Sequence, residues 1–311
     1  MSIWTVNSVG ADVHPIPIIC GPTASGKTSL ALNLATEYPI EIVSADSRQL
    51  VRYLDIGTAK PTAEERARVP FHLLDLVEPG ERYSAFRFIS DASRSIDQIL
   101  SRGHVPVIVG GTGLYLRALT DGVVEIDQGD MAIRERLEQE LAETGPQAMH
   151  ERLRQIDPLE AAKIHPHNRV RVIRALEIFY LTGKTKSEMT ATGGYRKSDF
   201  EFEYYCLAPP RPELYDTINR RVDCMIEDGL VAELQSLIER GYLEKIRWAN
   251  IIGYNELIQW QEGRMSLDEA MAAIKQNTRR YAKRQMTWFR GQAGCAYYAT
   301  AAALRQKLRV L

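Results

Sequence analysis

The stretch GPTASGKT, residues 21 to 28, follows the pattern G-x-x-x-x-G-K-[ST], and no other feature of the chain restricts its fold so tightly. Gly21, Gly26, Lys27 and Thr28 stand at the fixed positions of that pattern. The apolar run IPIIC precedes it and TSLALNLATEY follows it. The segment therefore reads as a strand, a tight loop and a helix, the context in which such a loop grips phosphate. Backbone N–H groups from Ala24 to Thr28 and the start of the helix offer partial positive charge to an anion. Many unrelated chemistries begin with this device, so the loop by itself leaves open whose phosphates are held.

The rest of the chain alternates in the same way. IPIIC, EIVSA, FHLLDLV, VPVIVG, FEYYCLA and CAYYA are short, apolar and rich in β-branched residues. Near-continuous apolar runs suit a parallel sheet buried on both faces. Helical patterns fall between them, and from about Gly122 to Tyr195 the strands vanish in favour of MAIRERLEQELAE, PQAMHERLRQI, PLEAAKI and NRVRVIRALEIFYLTG. The expected architecture is α/β: a P-loop NTPase-like core with a mostly parallel sheet flanked by helices, formed by residues 1–121 and 196–311, with an all-helical insertion at 122–195.

Composition excludes several classes. Hydrophobic residues make up 45% of the chain and charged ones 25%, ordinary for a globular protein. No apolar run approaches membrane-spanning length, and MSIWTVNSVGADVHP lacks the basic start and apolar middle of a signal peptide. Cys20, Cys206, Cys224 and Cys295 lie far apart with no C-x-x-C spacing, which favours reduced, mostly buried thiols over disulfides or a zinc site. A cytoplasmic monomer without structural metal or membrane contact is the expectation. The net charge of −1 hides clustering: KQNTRRYAKRQMTWFR, from Lys275 to Arg290, has six basic residues and no acidic one. Lys163 to Lys186 has six basic residues against Glu177 alone. Such stretches are often solvated helix faces, but two of them interleaved with aromatics favour a polyanionic partner.

Two owners of a phosphate loop can be weighed from residues alone. A motor or switch NTPase needs an apolar strand ending in an acidic Mg²⁺ ligand, whereas VPVIVGGTGLY ends in glycines and Thr112; Asp75 in HLLDL is the alternative ligand, in an early, short strand. A kinase of the nucleoside or shikimate type fits better. EIVSADSRQL puts Asp46 and Ser47 at the carboxyl end of the second strand, the edge where ligands bind in an open α/β sheet. A carboxylate there can deprotonate an acceptor, although a turn or helix-capping role uses the same residue type. A non-catalytic RNA-binding module explains the basic helices but gives the phosphate loop no task.

GPTASGKT, SADSRQL, YLDIGTAKP, FHLLDLVEP, YSAFRF, VGGTGLYLRAL, IHPHNRVRVIRALE and TRRYAKRQMTWFR occur in this order between about Ile16 and Arg290. Together they closely resemble the tRNA dimethylallyltransferase family, also called tRNA isopentenyltransferases. The resemblance implies transfer of a dimethylallyl group from its diphosphate to the exocyclic N6 of adenosine 37, next to the anticodon of tRNAs that read codons beginning with U. It implies that Gly21, Pro22, Thr23, Ala24, Ser25, Gly26, Lys27 and Thr28 hold a leaving diphosphate rather than the tail of ATP. Thr28 would carry Mg²⁺, Thr23 would lie near donor and acceptor, and Asp46 would be the general base. Ser47, Arg48 and Gln49 would line the adenine beside Asp46, and Thr112 would touch tRNA.

By the same resemblance the helical insertion clamps the anticodon stem-loop through Arg134, Arg171 and Arg174, with Val170, Val172 and Ile173 in the same block. Arg279, Lys283 and Arg290 are further backbone or diphosphate partners. Two departures stand out. Val170 occupies a position where the family usually has Gln or Arg, and Thr217 one where many members have Arg, leaving Arg220 or Arg221 to supply charge to the diphosphate channel. Relatives from eukaryotes often carry a C-terminal zinc finger; the chain reaches Leu311 without paired Cys and His, matching the short bacterial type. His165 and His167 read as polar residues at a helix start rather than metal ligands.

Overall fold

The structure, a computed structural model, describes residues 14–124, 131–192 and 195–310, so the N-terminal stretch read above for a signal peptide lies almost wholly outside the described residues. In chain order the elements begin with β1 (Ile16–Cys20), α1 (Lys27–Leu34), β2 (Ile40–Ser44), α2 (Ala63–Arg68), β3 (Phe71–His72), α3 (Ala85–Ser101), β4 (Val105–Gly110) and α4 (Gly113–Asp121). Next come β5 (Val123–Val124), α5 (Met131–Ile156), α6 (Pro158–Ala161), α7 (Arg169–Thr182), α8 (Lys186–Ala191) and β6 (Tyr195–Arg196). Then follow β7 (Phe202–Leu207), α9 (Arg211–Glu227), α10 (Leu230–Glu239), α11 (Leu243–Ala249), α12 (Tyr254–Gln261), α13 (Leu267–Arg290), β8 (Ala296–Tyr298) and α14 (Ala301–Val310).

Six strands form one sheet in the order β3-β2-β4-β1-β7-β8, and every pairing in it is parallel. All residues of β1, β2 and β4 are buried, which is why β1 and β4 run apolar without alternation; β2 buries Glu41 and Ser44 among its apolar residues. β1 is central, with β4 on one side and β7 on the other. The phosphate loop therefore leaves the carboxyl edge between two neighbours whose own carboxyl ends can contribute to the same site. FHLLDLV is shorter as a strand than its apolar run suggests. Leu73 and Asp75 adopt left-handed backbone (φ 63° and 55°), which stops β3 after two residues.

Two compact units are present. One comprises residues up to Tyr83, Asp91–Thr120 and Asp199–Leu311; the other comprises Ser84–Ser90 and Asp121–Ser198. The second unit thus takes in the start of α3, where Phe88 and Ile89 are buried, a segment with no marker in the sequence to separate it from the core. It is helical except for one correction to the all-helical expectation: β5 and β6 pair antiparallel, Val123 with Arg196 and Val124 with Tyr195. The two helices read on either side of Gly145 appear as limbs of α5, broken where Gly145 (φ 83°) precedes Pro146. Leu137, Met149, Leu153, Val172, Ile173 and Leu176 make the core of this unit.

One buried carboxylate ties the edge of the sheet together. Glu41 of β2 is 2% exposed and meets His72 Nε2 at 2.6 Å, Arg102 Nη2 at 2.7 Å and His104 Nδ1 at 2.8 Å. Burial works to raise its pKa, but hydrogen bonds from Arg102, His72 and His104 outweigh that and hold the carboxyl at about 2. A carboxyl depressed in the folded chain contributes stability above its unfolded pKa, and the contribution fades as pH falls toward the folded value. Glu41→Gln is expected to lower the unfolding free energy by about 2 to 3 kcal/mol near neutrality. The gap to wild type should close between pH 4.5 and about 2. Urea denaturation at a series of pH values measures it, and a gap that stays constant into acid would refute the ion pair.

Candidate active site

The phosphate loop turns on backbone that only glycine supplies. Gly21 has φ +143°, and a Cβ there would lie 2.4 Å from the Leu207 carbonyl oxygen at the end of β7. The loop is then fixed from the opposite direction by α13. The buried side chain of Gln285 accepts from the Thr23 N–H at 2.8 Å and donates to the Gly111 carbonyl at 2.9 Å, joining the loop to the segment after β4. Ala24, with φ 62°, packs on Leu214, Ile218 and Ala282 of α9 and α13. The first turn of α1 leaves the N–H groups of Lys27 and Thr28 without intrahelical acceptors, aimed at whatever lies before the helix.

In front of this loop is a cavity of about 600 Å³. Thr23, Ala24, Lys27 and Thr28 line it, as do Asp46, Ser47, Arg48 and Gln49 from the end of β2, and Arg221 from α9. Gly21, Pro22, Ser25 and Gly26 shape the loop without lining the cavity. Lys27 Nζ donates to the Pro22 carbonyl at 2.6 Å and lies 3.5 Å from Ser25 Oγ. Burial lowers its pKa to about 8, with Arg221 adding to the fall and Asp46 opposing it. Burial also lowers the Arg221 pKa, again opposed by Asp46. Among the described residues neither cation forms an ion pair. Two half-buried cations without a paired carboxylate make a site that favours an anion.

The wall that carries Asp46 is set by hydrogen bonds within and between its loops. Asp46 Oδ1 accepts from the Arg48 N–H at 2.8 Å, an Asx turn that fixes the carboxylate at the strand end. Burial and the Asp46 charge raise the Tyr281 pKa to about 12 and that of Tyr115 further, so both phenols stay neutral. Thr112 Oγ1 accepts from the Ser47 N–H at 2.9 Å, so this threonine positions the loop after β2 without itself lining the cavity. Gln49 Nε2 donates to the carbonyls of Thr58 and Ala59 at 3.4 and 3.0 Å. That stretch is held from below by Glu233, which accepts from the N–H groups of Asp55, Ile56 and Gly57 at 2.9, 2.8 and 3.1 Å. Asp75, the alternative metal ligand, is consumed by Lys60 at 2.6 Å and Arg66 at 2.9 Å.

Other sequence-derived residues fall elsewhere. Arg279 bonds Asn219 at 2.6 Å, with its guanidinium 6.0 Å from the Tyr215 ring centre, and it does not line the cavity. Lys283, Arg290 and Arg220 are exposed. The residues of α13 that do line the cavity are Ile274, Asn277, Thr278, Tyr281, Arg284 and Gln285, of which only Arg284 belongs to the basic residues counted above. Their signal was the spacing: 277, 281, 284 and 285 recur at three and four residues, one face of a helix. In the helical unit, Arg171 and Val170 are exposed, Arg134 pairs with Glu138 at 2.8 Å, and Arg174 pairs with the buried Glu177 at 2.9 Å. Val172 and Ile173 correct the expectation of tRNA contacts: at 1% and 5% exposure they are core residues, because a helix cannot turn five consecutive side chains to one partner.

The family model described as IPP transferase matches residues 49–292, and one described as isopentenyl transferase matches residues 14–70. The chain belongs to the tRNA dimethylallyltransferase family. It is 49% identical over 280 residues to tRNA dimethylallyltransferase 1 of Pelobacter propionicus, covering 90% of this chain and 91% of that one. The tRNA isopentenylpyrophosphate transferase of Bacillus halodurans is 40% identical, with a TM-score of 0.67 and 95% of each chain covered. A eukaryotic dimethylallyltransferase solved acting on tRNA is 30% identical with a TM-score of 0.77, covering 93% of this chain and 75% of that one. Both solved family members share the P-loop NTPase-like core described above.

The half-buried Lys27 ammonium gives this family member a testable pH dependence. Only protonated Lys27 attracts an anion, so affinity should fall as pH rises through about 8. Sulfate, whose charge is constant in that range, is the suitable probe in calorimetry. Lys27→Arg keeps its charge at every pH used and should remove the inflection; an inflection that persists in the variant would assign it to another group.

Proposed function

We propose that this chain transfers the dimethylallyl group of dimethylallyl diphosphate to N6 of adenosine 37 in tRNAs that read codons beginning with U, releasing diphosphate. The observation that carries the reading is the cavity itself: Lys27 and Arg221 with the phosphate loop on one side, and Asp46 on the other. Family membership favours this over phosphorylation of a nucleoside-like acceptor by ATP. As the C–O bond breaks, negative charge grows on the leaving diphosphate. Pre-placed donors stabilise that charge, each worth about 3 to 4 kcal/mol. The apolar side chains of Ile218, Val222, Met225, Ile252 and Ile274, which also line the cavity, suit a short branched hydrocarbon.

The N6 lone pair is delocalised into the purine, so removal of a proton as the bond forms is required, and Asp46 is the group for it. Its second oxygen has no protein donor among the described residues. The site fits Mg²⁺: the Thr28 hydroxyl lines the cavity with no protein partner among the described residues, and diphosphate oxygens and water complete the all-oxygen set this ion prefers. Bound there, the ion would neutralise charge on the diphosphate. Drawing the adenine from its stack costs a few kcal/mol, less in a loop than in a duplex. Arg171 and Arg134 of the helical unit would hold the stem through phosphates, and Arg174 less so because Glu177 already neutralises it.

Asp46→Asn is expected to reduce turnover by roughly 10²- to 10⁴-fold while tRNA and donor affinities and melting temperature change little. Incubation with labelled dimethylallyl diphosphate or labelled ATP, plus unmodified tRNA, reports which group moves. Near-normal prenyl turnover in the variant would remove Asp46 as the base, and transfer of the ATP label would replace the reading by a kinase. Arg171→Glu should weaken tRNA binding and lower the slope of log affinity against log salt by about 1, without affecting donor binding. An unchanged slope would take Arg171 out of the clamp.

A further inference from the structure

Three of the four cysteines, widely separated in sequence, meet behind the phosphate loop. The Sγ atoms of Cys20, Cys206 and Cys295 all lie within 4.8 Å of one another. Cys20 and Cys206 are opposite each other in the β1–β7 ladder, and Cys295 immediately precedes β8, which pairs with β7. Three parallel neighbours thus deliver one thiol each to one point. We infer that Cys20, Cys206 and Cys295 form a three-thiol site for a thiophilic d¹⁰ cation, of which Zn²⁺, Cd²⁺ and Cu⁺ are the chemical class.

The geometry needs little adjustment. Metal–sulfur bonds of about 2.3 Å set the sulfurs of one bound ion roughly 4 Å apart. Side-chain rotation is the adjustment that would bring sulfurs within 4.8 Å to that separation. Thiolates select soft and borderline ions over Mg²⁺, so this site would not compete for the hard cation at Thr28. Cys20 and Cys206 are fully buried while Cys295 is partly exposed, which leaves the Cys295 side for entry and for a water ligand. The position has a structural consequence. Cys20 precedes Gly21, Cys206 precedes Leu207, and Gly21 packs against the Leu207 carbonyl. An ion bound to these sulfurs would pin the two strand ends on which the phosphate loop is seated.

The test is a titration of the full chain, reduced and chelator-treated, with Cd²⁺ under anaerobic conditions and in the presence of excess Mg²⁺. A sulfur-to-metal charge-transfer band saturating at one ion per chain, with a rise in melting temperature and displacement by Zn²⁺, is expected. Cys295→Ser, at the partly exposed corner, should fold and lose the band; Cys224→Ser, outside the cluster and exposed, should keep it. Absence of a band in the wild-type chain, or a band that survives Cys295→Ser or disappears in Cys224→Ser, would overturn the proposal. Alkylation of Cys295 by iodoacetamide, slowed by Cd²⁺ in the wild type, gives a second readout that a purely structural thiol would not show.

Discussion

A single side-chain amide holds the phosphate loop in register with the sheet. Gln285 offers one acceptor and one donor at fixed spacing, and the Thr23 N–H and the Gly111 carbonyl are the two groups that need them. A buried amide left half satisfied costs about 1 to 3 kcal/mol, so the pair of bonds resists small displacements of either loop. Glycine makes the approach possible: a Cβ on Gly111 would lie 2.4 Å from Gln285 Nε2. Because α13 also carries Tyr281 and Arg284 into the cavity, one helix sets both the backbone of the anion site and part of its wall.

Much of this architecture was legible. The phosphate loop, the apolar strands and the strand-free middle segment follow from periodicity and turn chemistry, because buried parallel strands carry an unmistakable apolar signature. What failed to show was tertiary. Nothing in FHLLDLV announces that Leu73 and Asp75 leave the β region, or that Asp75 pairs with Lys60 and Arg66 outside that segment. The short β5–β6 ladder is two residues long on each side, below the length at which alternation can be read.

The site divides similarly. Asp46 and Lys27 are marked by local motifs, so their placement on one cavity follows once the strands are parallel. Residues of α7 carry two duties on a 3.6-residue period: Val172 and Ile173 face the core while Arg171 faces solvent, and a consecutive block cannot be carried over whole. The resemblance named Arg279 and Lys283 on α13, whereas the face of that helix that lines the cavity is polar and aromatic as well as basic, carried by Asn277, Thr278, Tyr281, Arg284 and Gln285. Cysteine spacing pointed away from a cluster because β1, β7 and β8 are neighbours in the sheet and remote in the chain.

The cavity keeps opposite charges close without letting them combine. Lys27 and Arg221 are on its phosphate-loop side and Asp46 on the other, and the Asp46 carboxylate acts on the pKa of both cations. A direct ion pair would quench all three: the cations would lose their pull on an anion, and the carboxylate would lose basicity. The Asx turn holds the carboxylate in its own loop instead, Asp46 Oδ1 accepting from the Arg48 N–H. Lys27 is likewise held by the Pro22 carbonyl, a neutral acceptor. Lys27 and Asp46 are thus each tethered by a local hydrogen bond that leaves the charge uncompensated, and the desolvation cost of that arrangement is offset when an anion enters. Such a cavity is suited to a reaction in which negative charge develops on one substrate while a proton leaves the other.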